Sequence, residues 1–187
     1  LRSDRNYILS MGAFRDEEER DIIKTVAKLL KDTNYYVLAP SYNRGSDKGI
    51  LSKFRNKLNN IIDKITISHL VSNGGFVPDE LLPYYYALSD IALIQRRKIL
   101  NSGNVPMAMY MGCVIIGPNV GNVGELLKET GNICFDPNNL NSLSCAVLEA
   151  LECVKMGRGK CNRTLSLTKY STFACAEAYY KIYLKLL

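Results

Sequence analysis

Short apolar runs of strand length alternate with longer amphipathic runs along this chain, and that alternation restricts the folds open to it. Asn6–Met11 (NYILSM) reads as a buried strand that Gly12 ends. Glu17–Lys31 reads as a helix, because Ile22, Val26, Leu29 and Leu30 recur on one face. Its first turn carries Glu17, Glu18 and Glu19 and its end carries Lys28 and Lys31, which suits the helix dipole. Tyr35–Ala39 predicts a second strand, 50–65 a helix with a basic outer face, and Ser68–Ser72 a third strand before the turn Asn73-Gly74-Gly75. Asp79–Leu88 predicts a helix, Asp90–Ile94 a strand, Asn104–Met111 a helix and Cys113–Gly117 a strand. Gly121–Glu129 predicts a short helix and Ile133–Phe135 an edge strand. Asp136 is the expected cap of a helix whose stripe is Leu140, Leu143, Val147, Ala150, Leu151 and Val154. Met156–Arg163 reads as a loop, and Thr172–Leu187 as a closing amphipathic helix. Repeated β-then-α order with Val, Ile and Leu runs predicts an α/β fold: a Rossmann-like, doubly wound parallel sheet with helices on both faces.

At 187 residues the chain is the size of one domain, and 47% apolar with 22% charged residues is a globular composition. The start, Leu1 to Asn6, lacks the apolar core of a signal peptide. No run approaches the roughly 20 apolar residues that span a bilayer. The expectation is a soluble, cytoplasmic piece of a longer chain. Six cysteines without a CxxC pair and one histidine, His69, exclude the tight ligand spacing of a zinc site. Reduced and mostly buried cysteines are expected. The net charge of +6 favours anionic partners. Its basic clusters are Arg44, Lys48, Lys53, Arg55 and Lys57, and Lys155, Arg158, Lys160, Arg163 and Lys169. Both read as solvated surface or as a peripheral contact with the inner face of a membrane. Nucleic acid is not expected, since no aromatic interleaving accompanies the basic residues.

Ligands of open parallel sheets bind beyond the carboxyl ends of the strands. That rule selects Gly12–Asp16, Pro40–Arg44, Gly75–Pro78, Gln95–Val105 and Pro118–Glu125. Gly12 opens a tight turn that either admits a phosphate to bare backbone or holds no ligand; it is not GxGxxG. Ser102-Gly103-Asn104-Val105-Pro106 opens a helix after Arg96, Arg97 and Lys98. Free amides at that helix start, with guanidinium groups nearby, suit a diphosphate. A capped helix with solvated arginines is the alternative. Glu125, expected in the first turn of its helix, either complements the dipole or accepts hydrogen bonds from ligand hydroxyls. His69 reads as a buried or edge residue, and Tyr84-Tyr85-Tyr86 as one ring inward with its neighbours half exposed.

Four stretches in order resemble the C-terminal, donor-binding domain of GT-B retaining glycosyltransferases (glycosyl transferases group 1, family 4-like). They are Gly75-Phe76-Val77-Pro78-Asp79-Glu80-Leu81-Leu82-Pro83-Tyr84-Tyr85 with Ser89-Asp90-Ile91, Ala108 to Ile115, Gly121 to Glu125, and Gly131 to Pro137. The resemblance runs over nearly all of Asn6 to Leu187. It implies residues 1–187 as the nucleotide-sugar-binding half of a two-domain enzyme that lacks its N-terminal acceptor domain, so the isolated piece is expected to transfer nothing. It implies a nucleoside diphosphate sugar as donor, a glycan or lipid-linked acceptor, and no essential metal. By the same resemblance the backbone at Phe76-Val77 meets the nucleobase, Arg96 through Val105 (with Arg97, Ser102, Gly103 and Asn104) the diphosphate and sugar, Gly12 and Arg15 the diphosphate from across the cleft, and Glu125 the nucleotide end. No catalytic residue is assigned. Two family glutamates align with Ile99 and Met107, and a family lysine with Glu18. These departures open the alternative of a degenerate, non-catalytic nucleotide-binding or regulatory module.

Overall fold

The computed structural model describes residues 4–42, 67–72 and 75–186. The predicted helix at 50–65, the polar loop Asn43–Lys48, the turn at 73–74 and the first basic cluster lie outside them. Six parallel strands form one sheet in the order β3-β2-β1-β4-β5-β6. The strands are β1 Asn6–Leu9, β2 Tyr35–Leu38, β3 Leu70–Val71, β4 Ile91–Leu93, β5 Val114–Pro118 and β6 Ile133–Phe135. The helices are α1 Glu17–Leu29, α2 Leu82–Ala87 after a 3₁₀ turn Asp79–Leu81, α3 Asn104–Met111, α4 Gly121–Glu129, α5 Leu140–Lys155, α6 Arg158–Leu167 and α7 Thr172–Leu184.

Successive strand residues point to opposite faces, and both faces are buried. Ile8, Val37, Ile91, Leu93, Val114 and Ile116 meet Ile22, Ile23 and Val26 of α1 and Leu143, Val147 and Ala150 of α5. Tyr7, Leu9, Ala92, Ile94 and Ile115 meet Tyr86 of α2, Val105, Ala108 and Met109 of α3, and Val123 and Leu127 of α4. Tyr86 is the ring that packs inward, while Tyr84 is exposed. His69 is half-buried, its ring stacked on Tyr36 at 4.5 Å.

Four expectations are corrected. Met156–Arg163 is not a loop: after Gly157 the chain re-enters a helix, α6, and Gly159 packs so closely on Gly112 that a Cβ there would overlap the Gly112 carbonyl oxygen. Asn139, not Asp136, caps α5, its side chain accepting from the amides of Asn141 and Ser142; Asp136 closes a turn onto the Asn138 amide at 2.9 Å. No residue of α7 is buried, and Phe173, Tyr179, Tyr180 and Tyr183 are exposed. The cysteines are all free, but only Cys113 is buried; Cys145, Cys161 and Cys175 are exposed.

Burial, and secondarily the Asp90 carboxylate, pushes the Cys113 thiol up to about 12. Thiolate is the reactive form, so Cys113 is held inert. A colorimetric thiol titration of the native protein at pH 8 is expected to label Cys145, Cys161 and Cys175 quickly and Cys113 only after denaturant is added. Rapid labelling of Cys113, read by peptide mass mapping, would contradict this placement.

Candidate functional site

In this strand order β1 and β4 lie side by side, and their chains leave in opposite directions beyond the strand ends. A crevice forms at such a point. Its floor is polar: the Ser10 hydroxyl donates to Gln95 Oε1 at 3.0 Å, and both residues are buried. Gln95 Nε2 has no hydrogen-bond partner among the described residues.

Above this floor Gly12 adopts φ +109°, a left-handed conformation that side chains rarely take. Its missing side chain faces Arg96 and Asn104: a Cβ there would lie 3.9 Å from an Arg96 terminal nitrogen and 4.0 Å from Asn104 Nδ2. Asn104 Nδ2 also donates to the Met11 carbonyl at 3.0 Å, which ties the start of α3 to the first loop. The other Arg96 terminal nitrogen donates to both carboxylate oxygens of Glu19, at 3.0 and 2.8 Å. Glu19 is 3% exposed and also accepts the Arg15 amide at 2.9 Å. One buried carboxylate therefore fixes Arg96 and turns its second nitrogen toward Gly12. A guanidinium held in this way is a preorganised donor for an oxyanion.

Of the sequence-predicted residues, the structure brings Gly12, Arg96 and Asn104 together, with Ser102 behind them. Ser102 Oγ accepts the Asn104 amide at 3.3 Å, and the Ser102 carbonyl accepts the Val105 amide at 3.2 Å. Pro106 has no amide hydrogen. The start of α3 thus offers fewer free amides than expected; N-terminal Gly103 precedes two amides that Ser102 already takes. Val105 is buried in the core.

Arg97 turns the other way. Its Nε donates to the Pro137 carbonyl at 3.0 Å and a terminal nitrogen to Asn138 Oδ1 at 2.7 Å, and it pairs with Glu18. Arg15 is exposed in the same cleft of about 420 Å³, beside Glu18, Arg97, Lys98 and Asn138. Phe76 is exposed and Val77 buried beyond β3. Glu125 is exposed and is the fifth residue of α4, so it lies past the first turn where it was expected. Gly121 holds the rim together, for a Cβ on it would lie 2.5 Å from the Ile99 carbonyl oxygen of the Arg96 loop.

Sequence reasoning missed Glu19. Its signal was present: Asp16 precedes it by three residues and caps α1 by accepting the Glu19 amide at 2.8 Å, the spacing of a capping box. Among the described residues no group of three or more His, Cys, Asp or Glu could hold a metal ion, and no helix is long and apolar enough to cross a membrane.

The chain is similar in fold and in sequence to known proteins. Sucrose-phosphate synthase of Thermosynechococcus elongatus superposes with a TM-score of 0.70 at 18% identity, covering 100% of this chain and 46% of that one. The C-terminal domain of the group 1 glycosyl transferase LpcC of Francisella tularensis gives 0.69 at 14%, covering 89% of this chain and 87% of that one. Anabaena HepE, solved in complex with UDP-glucose, gives 0.70 at 12%, covering 99% and 50%. These likenesses show the fold. In sequence, the O-antigen chain mannosyltransferase B of Escherichia coli is 24% identical over 152 residues, 79% of this chain and 37% of that protein. The chain therefore spans well under half the length of that relative. A family model matches residues 1–162, and the chain belongs to the family it describes, glycosyl transferases group 1.

Proposed function

We propose that this chain is the donor-binding half of a two-domain glycosyltransferase, in which Gly12, Arg96 and Asn104 receive the diphosphate of a nucleoside diphosphate sugar. The observation that carries the reading is the bare Gly12 turn facing a guanidinium whose other side is locked to a buried carboxylate. Breaking the bond between sugar and diphosphate leaves negative charge on the diphosphate. Fixed donors aimed at that charge stabilise the transition state without rearranging. A metal ion is not needed for this step when guanidinium and amide donors supply the charge. The exposed Phe76 and the backbone at Val77 sit beyond β3, where the nucleobase would lie, and the acceptor would enter from the other half of the enzyme. The crystallised UDP-glucose complex of Anabaena HepE supports a nucleotide sugar as donor. A glycan or lipid-linked acceptor, handled at the surface of a membrane, fits the net charge of +6.

Calorimetric titration with UDP, GDP and their hexose conjugates tests the proposal. At least one nucleotide is expected to bind, and Arg96→Ala to weaken it by about tenfold or more, the loss of one charge-assisted pair. If no nucleotide binds or raises the melting temperature, the reading fails.

A further inference from the structure

We infer that the cavity at the amino ends of the strands, walled by Tyr35, Leu148 and Leu151 and edged by Glu149, binds an organic cation: an ammonium group on a small apolar or aromatic body. It lies at the end of the sheet opposite the Gly12 crevice, and it does not rest on the donor reading.

The cavity forms where two elements part. Thr33 and Asn34 lead into β2, and the second half of α5 flanks the start of that strand. Between them a space of about 490 Å³ stays open, a volume within the range of small-molecule sites. Tyr35 and Leu151 line it as half-buried side chains packed on the core, and Leu148, 54% exposed, forms its outer wall. An apolar body seated there takes these walls out of water.

The polar groups at the mouth select the head group, because their donors are already engaged. The Thr33 hydroxyl donates to the Leu30 carbonyl at 2.8 Å, and Asn34 Nδ2 donates to the Asp4 carbonyl at 2.8 Å. Lys155 Nζ donates to Glu152 Oε1 at 2.7 Å, so those two charges offset each other. Acceptors remain. Asn34 Oδ1 accepts no hydrogen bond, and the exposed Glu149 has no ion-pair partner, among the described residues. The mouth therefore keeps one negative charge on a chain whose net charge is +6. Burial, and secondarily the Asp90 carboxylate, raises the Tyr35 phenol, so that side chain stays neutral and its ring offers a negative face to a cation. An ammonium supplies the missing donors and the opposite charge. A carboxylate or phosphate head would meet like charge at Glu149.

The test uses the whole chain and three probes that share a ring: fluorophenethylamine (cationic), fluorophenylethanol (neutral) and fluorophenylpropionate (anionic), each followed by ¹⁹F line broadening. The amine is expected to bind saturably, the alcohol about tenfold more weakly and the acid more weakly still. Glu149→Gln should weaken the amine about tenfold, to the level of the alcohol, and leave the alcohol unchanged. Lys155→Met frees Glu152 and should tighten the amine about threefold, a gain that misfolding does not produce. Leu148→Ser should weaken all three probes. Equal binding of the three probes, no binding of the amine, or indifference of the amine to both charge variants overturns the proposal. So does a dimer in light scattering that Leu148→Ser dissociates, which would identify a second copy of the chain as the occupant. Saturating UDP should leave amine binding unchanged, and competition between them overturns the separate site. Amine binding with these variant effects but no nucleotide binding leaves this site standing and removes the donor reading instead.

Discussion

Asn162→Leu is expected to lower the unfolding free energy by about 2–4 kcal/mol, because it opens a closed polar network beneath the sheet. Asn162 is fully buried on α6 and exchanges hydrogen bonds with Asn132: Asn162 Nδ2 donates to Asn132 Oδ1 at 2.8 Å, and Asn132 Nδ2 to Asn162 Oδ1 at 2.9 Å. Asn162 Nδ2 also donates to the Cys113 carbonyl at 2.7 Å, while Asn132 Oδ1 accepts the Ile115 amide at 3.0 Å and Asn132 Nδ2 reaches Thr130. Two amide side chains thereby fasten the start of β5 to β6 and to α6. Leucine keeps the branching of asparagine with bulkier methyl ends, and leaves the Cys113 carbonyl and half of Asn132 without partners in a buried site. Asn132→Leu should cost a similar amount. In the double variant the mutual bonds are already lost, so its cost should fall short of the sum of the single costs by about 1 kcal/mol or more. Urea denaturation of the four proteins measures this, and strictly additive costs would show that the two asparagines do not act as a unit.

Glu19→Ala should impair both fold and site. Arg96, its side chain only 16% exposed, loses the carboxylate that neutralises it, and the Arg15 amide loses its acceptor. Removing one member of a buried pair costs about 3–5 kcal/mol, and the remaining solvent contact of Arg96 brings the expected loss to about 2–3 kcal/mol. The larger consequence concerns position. A guanidinium no longer held on one side has no reason to present its other nitrogen to Gly12, and nucleotide affinity should drop by about tenfold or more. Glu19→Gln keeps the shape and one hydrogen bond without the charge, and should fall between wild type and Glu19→Ala in both stability and affinity. Calorimetry at a temperature where every variant is folded separates the two effects. Unchanged nucleotide affinity in Glu19→Ala would mean that Arg96 needs no positioning, or does not touch the ligand.

Where periodicity was strong, local sequence sufficed. Asn104–Met111, Gly121–Glu129 and Ile133–Phe135 form at the predicted limits. The loops at the carboxyl ends of the strands follow from strand direction alone. The failures have specific causes. Two helix-capping residue types, Asp136 and Asn139, stand three residues apart, and only the path of the chain around Pro137 selects the second. Gly157 and Gly159 read as loop residues, yet one starts α6 and the other lets α6 touch Gly112. Cys145 on α5, Cys161 on α6 and Cys175 on α7 face outward because the apolar stripe of a helix tells which face is buried only once its neighbours are known. The loop Gln95-Arg96-Arg97-Lys98 shows the same limit at the site, since nothing local distinguishes its two arginines.

Residue order, then, was enough for the parallel sheet, its two covered faces and the loops beyond its strand ends, because hydrophobic period and glycine turns are properties of neighbours along the chain. Which charges meet at that rim was settled by folding. Glu19 reaches Arg96, Glu18 reaches Arg97, and Asn162 reaches Asn132 across separations that no local pattern encodes. Packing against the sheet buries Glu19 beside Arg96 and Asn162 beside Asn132, and the cost of burying a charge or an amide alone makes those partners obligatory.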